Sequence, residues 1–196
     1  MPRFVLSLIA AVLLTIPAAA QVTTWKVDPA HSAAQFSVRH LSVSTVRGAF
    51  TKLSGTVQYD AADPAKSSVD VTIETASVDT RVEMRDNDLR SPKFLDVQKY
   101  PTITFKSKRV ESAGPGKLKV TGDLTIHGVT KEVVLDIDGP SEAIHDPWGN
   151  MRRGASATTK INRRDFGITE YPSAVISDGV AITIDAEMIQ PAAAGH

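Results

Sequence analysis

The 196-residue sequence predicts an all-β fold, an antiparallel eight-stranded barrel with one short helix near its mouth. Three observations carry the prediction. The first is the stretch 117–138, where Leu118, Val120, Gly122, Leu124 and Ile126 alternate with Lys117, Lys119, Thr121, Asp123 and Thr125. After His127-Gly128, Val133, Leu135 and Ile137 resume the apolar side against Glu132, Asp136 and Asp138. A strand sends successive side chains to opposite faces, so these are two strands with one dry side and one wet side. Gly128 tolerates the positive φ that a tight hairpin needs, and His127 is expected to be solvated there. The second observation is recurrence: eight or nine segments alternate in this way, and closing such a sheet removes its hydrophobic edges. The third is Gly48 and Gly55 inside the long segment 46–59, since glycine within a strand marks a bulge or sharp bend.

In chain order, residues 1–20 stand apart. Arg3, an uncharged apolar run over 4–16, Pro17 and Ala18-Ala19-Ala20 have the layout of a secretory signal peptide cleaved after Ala20. The run falls short of the ~20 residues of a spanning helix. The mature chain is therefore expected to be exported, with no transmembrane segment; in a diderm bacterium its compartment is the periplasm. One barrel domain is expected over 21–190, followed by a disordered tail over 191–196.

The first strand falls at 22–28, with Trp25 and Val27 on one face, and Pro29 sets the turn from Asp28 to Ser32. Phe36, Val38 and His40 alternate in a second strand; the glycine-containing segment 46–59 follows, and the turn at 60–64 closes its hairpin. Val69, Val71, Ile73 and Thr75 mark the next strand. Thr80-Arg81-Val82-Glu83 reads as a capping box, with Thr80 as N-cap of a short helix that ends before Pro92. Phe94, Leu95 and Tyr100 make the following loop unusually apolar, which suits a lid over an opening in the sheet. Strand character returns at 102–110, and Gly114-Pro115-Gly116 turns the chain into 117–138. Over 142–161 the pattern weakens into small residues (Gly154, Ala155, Ala157) and turn signals. Residues 162–167 form another bend, and Val180, Ile182, Ile184, Ala186 and Met188 define a last strand.

Composition narrows the function. The chain has 22 basic and 22 acidic residues, without the basic stripe of a nucleic-acid binder or the polybasic cluster of a membrane anchor. It has no cysteine, which removes disulfides, thiol catalysis and cysteine metal sites together. An eight-stranded barrel either fills its interior with side chains or holds one small ligand, and alternation alone leaves both open.

The chain resembles the YceI family of bacterial exported proteins. The resemblance rests on Trp25-Lys26-Val27-Asp28 with His31-Ser32, Phe36-Ser37-Val38-Arg39-His40, and Val46-Arg47-Gly48-Ala49-Phe50. It continues through Arg85-Asp86-Asn87-Asp88-Leu89-Arg90-Ser91-Pro92, Lys93-Phe94-Leu95-Asp96 and Lys99-Tyr100-Pro101. Leu124-Thr125-Ile126-His127-Gly128-Val129-Thr130-Lys131 and Asn162-Arg163-Arg164-Asp165-Phe166-Gly167 complete it. The resemblance implies a lipocalin-like barrel whose apolar cavity holds an isoprenoid quinone or similar polyisoprenoid or lipid, a periplasmic location and a homodimer in several members. Many relatives carry His where this chain has Asp88, so no role needing an imidazole carries over there.

The wall residues expected to touch such a ligand are Phe36, Val38, Phe50, Val71, Ile73, Phe105, Leu124, Ile126, Ile182 and Ile184, with Phe94 and Leu95 at the mouth. No catalytic residue, cofactor or metal is expected. The contrasting reading is a metal- or His-dependent enzyme. His31, His40, His127 and His145 lack helical zinc spacing, but Asp28 and His31 are placed to form a carboxylate–imidazole pair. The preferred reading is structural, with Asp28 bonding turn amides and His31 bonding a backbone group. The charged residues Arg85, Asp86, Asp88 and Arg90, and the pair Arg164 and Asp165, are candidates to orient a polar head group, but salt bridges that hold the helix and the bend are the preferred reading. A third reading makes the barrel a scaffold for a stress-response interaction module without ligand.

Overall fold

The computed structural model describes residues 22–190, so the expected leader and tail lie outside the described residues. The strands are β1 (Thr23–Val27), β2 (Ala33–His40), β3 (Ser44–Phe50), β4 (Leu53–Tyr59), β5 (Ser68–Glu74) and β6 (Val78–Asp79). Helix α1 (Glu83–Arg90) precedes β7 (Thr102–Ser112), β8 (Lys117–Ile126), β9 (Val129–Asp138), β10 (Ile144–His145), β11 (Met151–Asn162) and β12 (Gly179–Gln190).

These strands make a closed antiparallel barrel with eight staves. Two staves are broken in the middle. β1 and β2 run end to end along β12, with Val27 opposite Met188 and Ala34 opposite Ile184. β3 and β4 do the same on the other side, β3 against β2 and β4 against β1. From β4 the wall continues through β5, β7, β8, β9 and β11, and β11 pairs with β12 from Met151–Gln190 to Asn162–Gly179. That last pairing removes the sheet edges.

The break between β3 and β4 falls at Thr51 and Lys52, not at the glycines expected to bend this stave. Gly48 and Gly55 instead allow close approach. A Cβ on Gly48 would lie 2.5 Å from the Phe36 ring, and one on Gly55 would lie 2.5 Å from the Asp70 carbonyl oxygen. The register irregularity lies elsewhere, in β7 between Ser107 and Arg109.

The β8–β9 hairpin has the expected register, Val120 opposite Leu135 and Leu118 opposite Ile137. Its central residues, His127 and Gly128, have φ of 52° and 74°, the pair of positive values that makes a two-residue turn match strand twist. His127 is not solvated as expected: it is half-buried, edge-on to Tyr100 with ring centroids 4.6 Å apart.

The helix start also differs from the capping-box expectation. Helix α1 has Val82 at its N-cap and no side-chain cap. Thr80 is buried, and its amide and hydroxyl both donate to Asp86 Oδ1, at 2.8 and 2.5 Å. The threonine is recruited by the helix interior, so it cannot cap the first turn. The segment with the weakest sequence pattern, β11, is one of the two longest described strands. Its alternate positions are Ala155 and Ala157, too small to read as an apolar face, yet they lie inside the barrel.

Candidate ligand-binding cavity

Inward side chains of all eight staves enclose a cavity of about 590 Å³. That lies within the roughly 300–1,000 Å³ typical of small-molecule sites. All twelve residues singled out in the sequence line it. Phe36, Val38 and Phe50 come from β2 and β3, Val71 and Ile73 from β5, Phe105 from β7, Leu124 and Ile126 from β8, and Ile182 and Ile184 from β12. Phe94 and Leu95, in the loop 91–101, are buried against the same space. The geometry brings in others that alternation did not single out as site residues. Leu53 and Val57 extend the β4 wall, and Ala155 and Ala157 make the β11 wall thin. Only parity with larger neighbours could have flagged the alanines, because a small residue gives no hydrophobic signal.

The strand directions define two ends. At the end holding the 60–67, 113–116 and 139–150 connections, Arg153 lies between aromatic faces. Its guanidinium carbon is 4.7 Å from the Trp25 ring centroid and 4.8 Å from that of Tyr59. Its Nε is buried without a hydrogen-bond partner. The charge is met by the two ring faces, and a stacked guanidinium tolerates that environment better than an ammonium would.

The opposite end carries α1, the β2–β3 turn and the loop 167–178. Here the lining becomes polar, with His40, Thr80, Arg85, Asp88 and Tyr171. Arg85 is held by Thr80, its Nε donating to the hydroxyl at 2.8 Å and its Nη2 to the carbonyl at 3.0 Å. The salt bridges expected within the helix cluster are replaced by bonds to backbone carbonyls and to the neutral side chains of Thr80 and Asn87. Arg90 donates to the Ala76 and Val78 carbonyls at 3.0 and 2.7 Å. Arg164 pairs with Asp178 at 2.6 Å rather than with Asp165. Buried Arg163 donates to the carbonyls of Ile168, Glu170, Tyr171, Ile176 and Ser177, which fastens the loop 167–178 over the barrel. Burial pushes its pKa down, reinforced by neighbouring Arg164.

The Asp28–His31 pair does form, with 3.0 Å between Asp28 Oδ2 and His31 Nδ1. It sits on the outer turn between β1 and β2 and does not line the cavity. Asp28, His31 and Glu187 place their ligand atoms within 4.8 Å of one another. Arg152 already occupies the cationic position among them: Nη1 lies 2.8 Å from Asp28 Oδ2 and against Glu187 Oε1, while Nε donates to Asp146 at 2.8 Å. The hydrogen bond with His31 and then that from Arg152 hold the Asp28 carboxyl down at about 2. Burial raises the pKa of Asp146, but bonds from Asn150 and Arg152 outweigh it and leave the carboxyl well below the usual range. This arrangement ties β1, β11 and β12 together; Asp28 accepts from the Ala30 amide at 3.0 Å as expected of the turn, but His31 bonds the Asp28 carboxylate rather than a backbone group.

Residues 25–188 match the family model of the YceI-like domain. A UPF0312 protein of Vibrio cholerae is 42% identical over 160 residues, covering 81% of this chain and 84% of that protein. Among solved structures, the YCEI protein of Campylobacter jejuni is 36% identical with a TM-score of 0.70, covering 78% of this chain and 90% of that one. A polyisoprenoid binding domain from Saccharophagus degradans shares the fold at a TM-score of 0.61 and 17% identity, covering 87% of this chain and 100% of that one. Among the described residues no helix is long and apolar enough to cross a membrane.

Proposed function

The chain belongs to the YceI-like domain family, and from that premise we propose that it is an exported binding protein for a long-chain amphiphile. The ligand is an isoprenoid quinone or a similar polyisoprenoid or lipid, held along the barrel interior and carried or scavenged without being chemically changed.

The observation that carries this reading is the about 590 Å³ cavity walled by aliphatic and aromatic side chains from every stave. Burying about 15 methylenes gains roughly 12 kcal/mol at ~0.8 kcal/mol each. Association and ordering take back several kcal/mol, which still leaves affinity below micromolar. The polar lining at the helix end suits the ligand's head group, with Arg85 as donor and Asp88 as acceptor. The polyisoprenoid binding domain from Saccharophagus degradans has the same barrel. The layout of residues 1–20 supports export. A nucleophile–base constellation in the lining would favour an enzyme, but the lining offers none: His40 is its sole histidine, and the Asp28–His31 pair lies outside it.

Organic extraction of purified protein followed by mass spectrometry tests the proposal. A stoichiometric long-chain amphiphile is expected in the extract. An extract without one, from protein that also fails to bind a fluorescent polyprenyl analogue, would overturn it.

A further inference from the structure

Resting on the amphiphile-binding reading, we propose that the β2–β3 turn is a docking element that seats the barrel mouth on an anionic phospholipid bilayer. The tip is Leu41-Ser42-Val43, and its two apolar side chains are 52% and 81% exposed. The turn is built to keep them there. The Leu41 amide donates to the Val175 carbonyl at 2.9 Å, and Arg39 Nη2 donates to the Ser42 carbonyl at 2.6 Å. Leu41 and Ser42 have φ of 49° and 57°, a region a branched residue such as leucine seldom adopts. A backbone held there by its neighbours, with its apolar side chain in solvent, points to use of that side chain.

The same end repeats the feature. Arg81, at φ 64°, leads into exposed Val82 and Met84, and exposed Tyr171 has φ 61°. Exposed apolar groups gathered around one opening mark an interaction surface. Charge selects the partner. Residues 33–50 contain Arg39, His40 and Arg47 and no acidic residue, and Arg39 and Arg47 are exposed. An apolar apex with cations on the flanking strands suits acyl chains beneath anionic head groups. The cavity lining reaches His40 and Val46, which bracket the tip, so a docked mouth gives an amphiphile a route to the bilayer that avoids water. The far end also exposes Ile144 and Trp148, but residues 139–150 contain Glu142 and no lysine or arginine, where the charge is wrong for an anionic surface.

Flotation of the mature chain, from Gln21, with vesicles of equal parts phosphatidylglycerol and phosphatidylcholine, and with pure phosphatidylcholine, tests this. Binding to the anionic vesicles is expected, and Val43→Ser combined with Leu41→Asn lowers the bound fraction at least about fivefold. Arg47→Gln lowers the preference for anionic vesicles, while Ile144→Ser with Trp148→Ser changes nothing. Failure to float with anionic vesicles, or equal loss from the far-end variant, overturns the proposal. So does a dimer that Val43→Ser dissolves and vesicles leave intact, because a second copy then covers the patch. Titration of each variant with a fluorescent polyprenyl analogue in solution separates the two readings. Docking without analogue binding sinks the carrier reading alone, and analogue binding without docking sinks this one alone.

Discussion

Phe105 lies so close over Gly122 that a Cβ on residue 122 would come within 2.6 Å of its ring Cζ. The same Cβ would lie 2.5 Å from the Lys106 carbonyl oxygen, an atom of the paired strand that cannot turn aside. The glycine therefore serves the barrel wall by letting an aromatic ring fold flat against it. Gly122→Ala is predicted to destabilise the protein by about 1–3 kcal/mol, the usual cost of overpacking. Urea denaturation gives that number directly, and an unchanged midpoint would show that neither the ring nor the paired strand opposes the methyl.

A second prediction concerns α1. Asp86 is buried and accepts both the amide and the hydroxyl of Thr80, itself buried. Asp86→Ala strands two donors, at about 1–3 kcal/mol for such a loss. Hydrogen exchange should quicken over 80–90 before the barrel strands respond, because the helix is held to the mouth partly through this carboxylate. Exchange that quickens uniformly over the whole chain would contradict that assignment.

A third prediction is a pH dependence. The Asp28 carboxyl is held at about 2, by the bond with His31 and then by that from Arg152, against an ordinary value of 3.8. A depressed carboxylate pKa means that the folded state binds fewer protons than the unfolded one. Its stabilisation is thus present above about pH 4 and is lost as pH falls toward 2. His31 is well exposed and Arg152 is not, so Arg152 carries the larger share of the energy. Asp28→Asn should cost about 1–3 kcal/mol at neutral pH, as expected for a charge-assisted bond. The stability curves of variant and parent should converge near pH 2; a constant gap across the range would show that the charge does not matter.

The strands most legible in the sequence are those with one oily and one wet side. β8, β9 and β12 follow the alternation almost residue by residue, and every wall residue chosen on that basis lines the cavity. β11 was illegible for a physical reason: its inward Ala155 and Ala157 leave volume unfilled, and an unfilled position has no hydrophobic signature. The helix start departs from the capping-box pattern because Thr80 has the composition of a cap but the burial of a core residue. Arg163 could not be read at all. Apart from the Asp178 carboxylate 3.2 Å away, its acceptors are backbone carbonyls of the 167–178 loop, and carbonyls are the same in every residue.

The measurement that bears most directly on the carrier account is titration of delipidated protein with a fluorescent polyprenyl analogue, for the parent chain and for Ala157→Trp. Ala157 is buried in the thin β11 wall, and an indole there projects into the cavity. The parent should bind saturably, one analogue per barrel, with a submicromolar Kd, and the variant should bind at least about tenfold more weakly while keeping its β-sheet circular dichroism. Equal affinity in both proteins, or binding by neither, would contradict the claim that the barrel interior holds the ligand.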